Sequence, residues 1–251
     1  MLRRDELAQV AAQFGVADSQ VERDYLISLI LAHLSDMYAD SLLFIGGTAL
    51  SRTHLPQGRL SEDVDLVALG NRGQLAQQIQ RTLPRALRRA YGSTQWSPGP
   101  ADVRDTQVAR LQATGTTVGV RVQLLSRTGI ADWPTEQRQL HQRYTNAPSA
   151  QLRVPTRAAF AAWKTVAWCD RRAPRDLWDL WALNRMGAID REAAHLFRSY
   201  GPTNTLPAPW RFETAPSEDE WQTQLSQQTQ LEITAAQALR EVRIAWSASA
   251  D

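Results

Sequence analysis

Leu42-Leu43-Phe44-Ile45-Gly46-Gly47-Thr48-Ala49-Leu50 and, about sixteen residues after the glycines, Asp63-Val64-Asp65-Leu66-Val67 decide how this chain is read. Four apolar residues that stop at two glycines predict a short buried strand. Thr48 to His54 then predicts a short helix, broken by Pro56 and Gly58. Asp63 to Leu69, closed by Gly70-Asn71, predicts a second strand.

Side chains alternate across a strand, so Asp63 and Asp65 share one face while Val64 and Leu66 pack on the other. Two adjacent carboxylates repel each other, and a hard divalent cation relieves the repulsion. Mg²⁺ suits such a place, because it takes one or two carboxylates and completes its shell with substrate phosphates. Alone, Asp-x-Asp is equally an acidic outer face, and strand–Gly-Gly–helix is equally a tight turn. Together they put a phosphate cradle and a metal site at the same end of neighbouring strands. Glycine lets the backbone approach a phosphate, the helix start offers N–H groups, and Thr48 adds a hydroxyl.

Working outward, Asp18 or Ser19 to Tyr38 has helical apolar spacing, and Arg72 to Ala90 forms another helix that Pro84 kinks or divides. Gln107 to Ala113 and Thr117 to Leu125 flank Thr114-Gly115-Thr116, a hairpin signal. From Pro155 on the pattern is helical: Thr156–Asp170, Arg175–Met186, Arg191–Ser199 and Ser217–Trp246, with a loop over Gly201–Pro216. The expectation is an α/β domain over 1–150 and a helical domain over 151–251.

The second half holds a third chemical feature. Of 28 basic residues only Lys164 is lysine, in a chain otherwise built with arginine. Lysine is a compact point charge, suited to a triphosphate clamp. Asp176 and Asp179, three apart after Pro174, share a helix face, and either is placed to orient Lys164. The bland account is a helical pair with ordinary salt bridges. Arg81, Arg85, Arg88 and Arg89 also share a helical face; a solvated surface accounts for them, with an RNA backbone as the alternative. Trp163, Trp168, Trp178 and Trp181 read as core packing before base stacking.

Composition narrows the setting. A hydrophobic fraction of 43% suits a globular chain, and no apolar run approaches the roughly 20 residues that cross a bilayer. The charge-interrupted start lacks the apolar core of a signal peptide, so a cytoplasmic location is expected. Cys169 is alone, which excludes an internal disulfide and disfavours structural zinc. The net charge of +2 decides nothing about nucleic acid, since clustering matters more than the total.

Phe44-Ile45-Gly46-Gly47-Thr48-Ala49-Leu50, Arg59-Leu60-Ser61-Glu62-Asp63-Val64-Asp65-Leu66, Lys164, and Arg175-Asp176-Leu177-Trp178-Asp179-Leu180 resemble, in order and approximate spacing, the motifs of the AbiEii/AbiGii-type nucleotidyltransferase toxins, which include the MenT-like toxins. The resemblance runs to about residue 186. It implies a DNA polymerase β-like core, a helical C-terminal domain, an NTP substrate, Mg²⁺ or Mn²⁺ as cofactor, and an antitoxin encoded nearby. MenT-like members modify the 3′ end of tRNA and so block translation. By position, Gly46, Gly47 and Thr48 would hold phosphate, Asp63 and Asp65 metal, and Arg59 and Ser61 would support the site. Lys164 with Asp176 or Asp179 would complete it. One departure stands out: many relatives of the polymerase core carry a third carboxylate on a later strand, and Val118–Ser126 offers Arg121 or Gln123 there. A small-molecule or protein acceptor, or a nucleotide binder without turnover, are the alternatives.

Overall fold

The computed structural model describes residues 2–249. Leu42–Ile45 is strand β1, all four residues buried, and Gly46–Arg52 follows it directly as helix α3. Two helices precede them, α1 (Arg4–Phe14) and α2 (Asp18–Tyr38). Then come β2 (Asp63–Ala68), α4 (Arg72–Tyr91), β3 (Thr94–Trp96), β4 (Ala109–Ala113), β5 (Gly119–Ser126), β6 (Thr135–Gln139) and β7 (Gln151–Pro155). Helices α5 (Arg157–Arg171), α6 (Pro174–Arg185), α7 (Arg191–Tyr200), α8 (Glu218–Leu225) and α9 (Ala235–Ala248) complete the chain.

The seven strands form one mixed sheet in the order β3-β4-β5-β2-β1-β7-β6. β1 runs antiparallel to β2 and parallel to β7, while β2 runs parallel to β5. In β5, Val120, Val122 and Leu124 are buried and the residues between them are more open. Helices α2 and α4 pack on β5, and α4 contributes Leu75, Ile79, Leu83 and Leu87 to the core. The other face carries Asp63, Asp65, Arg121, Gln123, Arg110 and Gln112, and turns apolar only at Val67 and Leu125. This is the one-sided burial that alternation produces.

The chain divides into two compact units, residues to 130 with 136–154, and residues 131–135 with those from 155 on. In the second unit α5 packs on α6 and α7, and α6 on α8 and α9. Trp168 and Trp221 are fully buried there, and each indole N–H finds a carbonyl, Arg211 O at 3.1 Å and Ile233 O at 2.9 Å. That is how a buried tryptophan is accommodated. Among the described residues, no helix is long and apolar enough to cross a membrane.

Three expectations change. α4 is not divided at Pro84 but runs as one helix. Proline leaves the carbonyl four residues back without its helical donor, and here the Trp96 indole N–H donates to Gln80 O at 3.2 Å instead. The single helix expected over Ser217–Trp246 is two. Capping boxes at Ser217/Glu220 and Thr234/Gln237 start each of them, satisfying first-turn N–H groups twice. Finally, α1 and the strands β3, β6 and β7 are elements that the sequence pattern does not announce.

Candidate active site

The site is built where β1 ends. Ile45 stands opposite Asp65 in the antiparallel register. The chain then turns through Gly46 with φ +78°, a left-handed conformation that glycine adopts without strain. A second constraint acts on the same residue: a Cβ there would lie 2.2 Å from Asp65 Oδ2. At Gly47 a Cβ would lie 2.6 Å from Arg59 Nη2 and 3.3 Å from Ser61 Oγ. The glycines therefore let the backbone press against the Asp65 carboxylate on one side and the Arg59–Ser61 segment on the other. Arg59 and Ser61 are both buried.

Asp63 and Asp65 share one face of β2, half-exposed, with Val64 and Leu66 buried behind them. The parallel register sets Arg121 beside Asp63 and Gln123 beside Asp65. Arg121 grips Asp63 with both ends of its fork, Nε to Oδ1 and Nη2 to Oδ2, each at 2.6 Å. That hydrogen bonding, with the charges of Asp63, Glu62 and Asp65, raises the Arg121 pKa further above its ordinary value. Glu62 is turned toward Arg23, at 3.4 Å. Gln123 donates through Nε2 to Thr106 O at 2.9 Å. An amide thus stands where the third carboxylate was sought. Among the described residues no group of three or more His, Cys, Asp or Glu could hold a metal ion.

The Thr48 hydroxyl donates to the Asp63 carbonyl, and the residue is 1% exposed. Its side chain ties α3 to β2. Arg121 as a partner of Asp63 is not legible from spacing. The fork becomes visible only once β5 is found to lie beside β2.

Lys164, Asp176 and Asp179 belong to the second unit and form a cluster of their own. Arg172, at the end of α5, adopts φ +49° and reverses the chain, so that α6 starts at Pro174. Lys164 Nζ then lies 3.3 Å from Asp176 Oδ1 and 2.6 Å from Asp179 Oδ2. Arg171 closes on Asp176 with Nε at 2.6 Å and Nη2 at 2.9 Å. Both aspartates hold the lysine, and Lys164, Asp176 and Asp179 are all buried.

Asp63 and Asp65 fit a divalent cation of the Mg²⁺ kind. They supply hard oxygens on one face, and the missing side chain of Gly46 lets the Asp65 carboxylate lie against the backbone. A site with only two carboxylates suits an ion that arrives with phosphate oxygens.

The sequence profile described as nucleotidyl transferase AbiEii toxin, type IV toxin–antitoxin system, matches residues 29–250. The chain belongs to the AbiEii family. Membership places it among the nucleotidyltransferase toxins of type IV toxin–antitoxin systems, and the match extends through the helical second unit. Among curated proteins none matches the sequence. Among solved structures, the AbiEii fold is similar to MenT4, a nucleotidyltransferase toxin from Mycobacterium tuberculosis H37Rv, with a TM-score of 0.69 and 20% identity over 100% of this chain and 90% of that one.

Proposed function

We propose that this AbiEii-family chain transfers a nucleoside monophosphate from an NTP to the 3′ end of an RNA, tRNA above all, and thereby blocks translation. The observation that carries the transfer reading is the seating of Asp65 against the Gly46 backbone, with Asp63 beside it on the same strand face. The tRNA acceptor rests on the resemblance to MenT-like toxins.

In this reading the acceptor hydroxyl oxygen forms a bond to the α-phosphorus, the bond to the bridging oxygen breaks, and pyrophosphate leaves. Gly46 and Gly47 admit the triphosphate close to the backbone. Asp63 and Asp65 would hold the Mg²⁺ or Mn²⁺, whose chemistry when bound is to neutralise phosphate charge. Arg121 releases Asp63 for that purpose and remains as a cation at the same face. Gln123 cannot take the hydroxyl proton, which therefore departs to water, so positioning and charge neutralisation carry the reaction. Lys164, held by Asp176 and Asp179, is the proposed functional cation of the second unit. The partner antitoxin is expected to act on this activity.

The test is transfer of label from each α-³²P-NTP to total tRNA with Mg²⁺, wild type against Asp65→Ala. Labelled RNA that the substitution abolishes is the expected result. Pyrophosphate without labelled RNA moves the acceptor to a small molecule or a protein. NTP binding with neither product makes the chain a nucleotide-binding protein without turnover.

A further inference from the structure

Helix α4 reads RGQLAQQIQRTLPRALRRAY: five arginines and no carboxylate in twenty residues. No Asp or Glu occurs from Asn71 to Ala101. The chain as a whole is +2, so it would be −3 without this helix. Three arginines elsewhere in the first unit pair with carboxylates: Arg23 with Glu62, Arg52 with Asp24 and Arg121 with Asp63. At the start of α4 itself, Arg72 donates to Leu124 O and pairs with Asp105. The other four, Arg81, Arg85, Arg88 and Arg89, are exposed, and none pairs with a carboxylate among the described residues.

Their spacing makes this costly to the isolated helix. Arg81 and Arg85, and Arg85 and Arg89, are like-charged pairs four apart, which destabilise a helix. The C-terminal end of the helix dipole favours Arg88 and Arg89 in the last turn but does not reach Arg81. Beside them lies a cleft of about 370 Å³ lined by Pro84, Arg85, Arg88, Gly92, Ser93 and Thr94. Thr94 is 8% exposed, and its buried hydroxyl has no hydrogen-bond partner. The Thr94 hydroxyl is closed off from solvent, so the donors that this cleft offers a phosphodiester oxygen are its two arginines.

We propose that Arg81, Arg85, Arg88 and Arg89, with the Thr94 cleft, form the surface on which the phosphate backbone of the RNA acceptor docks. This rests on the RNA-acceptor reading above. It assigns that reading a surface, and it makes these arginines positioning residues with no part in the chemistry.

The experiment is binding of fluorescent tRNA to the full chain across a NaCl series, for wild type, Arg85→Gln/Arg88→Gln and Thr94→Val. Each phosphate that the protein no longer neutralises should lower the slope of log K against log[salt] by roughly 0.7–0.9. The double variant should therefore lose at least ~10-fold in affinity at low salt and between about one and two in slope. Its melting temperature, NTP affinity and turnover at saturating tRNA should match wild type. Thr94→Val, at a hydroxyl closed off from solvent, should leave tRNA binding unchanged with stability equal or higher. Unchanged affinity and slope in the double variant, with wild type binding tRNA, overturns the docking surface and leaves the RNA reading standing. If that variant instead loses its antitoxin, the face belongs to a protein partner and the proposal is equally overturned. Failure of wild type to bind any tRNA overturns the RNA reading itself.

Discussion

Asp63 with Asp65, and Asp176 with Asp179, are each two carboxylates brought to one face, the first by strand alternation and the second by helical i, i+3 spacing. They end in opposite electrostatic states. Asp63 is held by an arginine whose side chain is 44% exposed, while its own is 26% exposed. Asp176 and Asp179 have side chains 1% and 3% exposed and share one lysine that is nearly as buried. In water a fork such as that between Arg121 and Asp63 is worth little and can open. In the interior, removing one charge strands the others. The difference separates an exposed pair that can give up its partner from a buried one that cannot do so without stranding charge.

The largest effect that would break this contrast is on stability. Lys164→Met should destabilise the chain by about 3–5 kcal/mol, because it leaves buried aspartates without their shared cation. Lys164→Met with Asp179→Leu should recover most of that loss, since replacing a buried pair by apolar groups of similar volume is often near neutral. Chemical denaturation checks both. A single variant as stable as wild type would show that the cluster holds nothing together. It follows that inactivity of Lys164→Ala says something about chemistry only after its folding has been measured.

Asp65→Asn should do the reverse. Stability should stay within about 1 kcal/mol, because the change relieves repulsion on a half-exposed face. Label transfer should fall by roughly 10²–10³, the scale of removing one electrostatic group from a reaction centre. Retained transfer would remove Asp65 from the site altogether.

How much of this is legible in the sequence divides along the same physical line. Strand alternation and the Gly46 turn are local, so the Asp63/Asp65 face and its glycine neighbours follow from the residues themselves. The Arg121–Asp63 fork joins residues 58 apart and depends on β5 lying beside β2, which spacing alone cannot give. Pro84 misleads for a similar reason: the donor that rescues Gln80 O is on Trp96, one strand away. The edge strand β6, Thr-Glu-Gln-Arg-Gln, carries no apolar alternation to read. The Ser217 and Thr234 capping boxes are readable, but continuous apolar spacing across them argues for one helix. α1 owes its place to a cluster of Val10 and Phe14 with Val21 and Tyr25, packing that exists only after α2 has formed.

Gly46→Ala probes the turn between these extremes. The left-handed backbone alone should cost about 1–3 kcal/mol, and the added methyl would displace the Asp65 carboxylate it meets at 2.2 Å. Both readouts should therefore drop together, stability by thermal melting and transfer by labelling. Loss of stability with full activity would show that Asp65 is not seated by this glycine.

Arg121→Gln should have the smallest effect and tests the exchange itself. The fork is well aligned but partly exposed, so its loss should change stability by no more than about 1 kcal/mol. The two Asp63 oxygens would then lack a guanidinium in the way of an incoming cation. Binding of Mn²⁺ in the presence of a non-hydrolysable NTP should become tighter, by up to about fivefold if the whole worth of the pair opposes it. Titration calorimetry reads this directly. Weaker Mn²⁺ binding in the variant would mean that Arg121 orients Asp63 for the metal instead of competing with it. The exposed pair would then resemble the buried one, a support and not a placeholder.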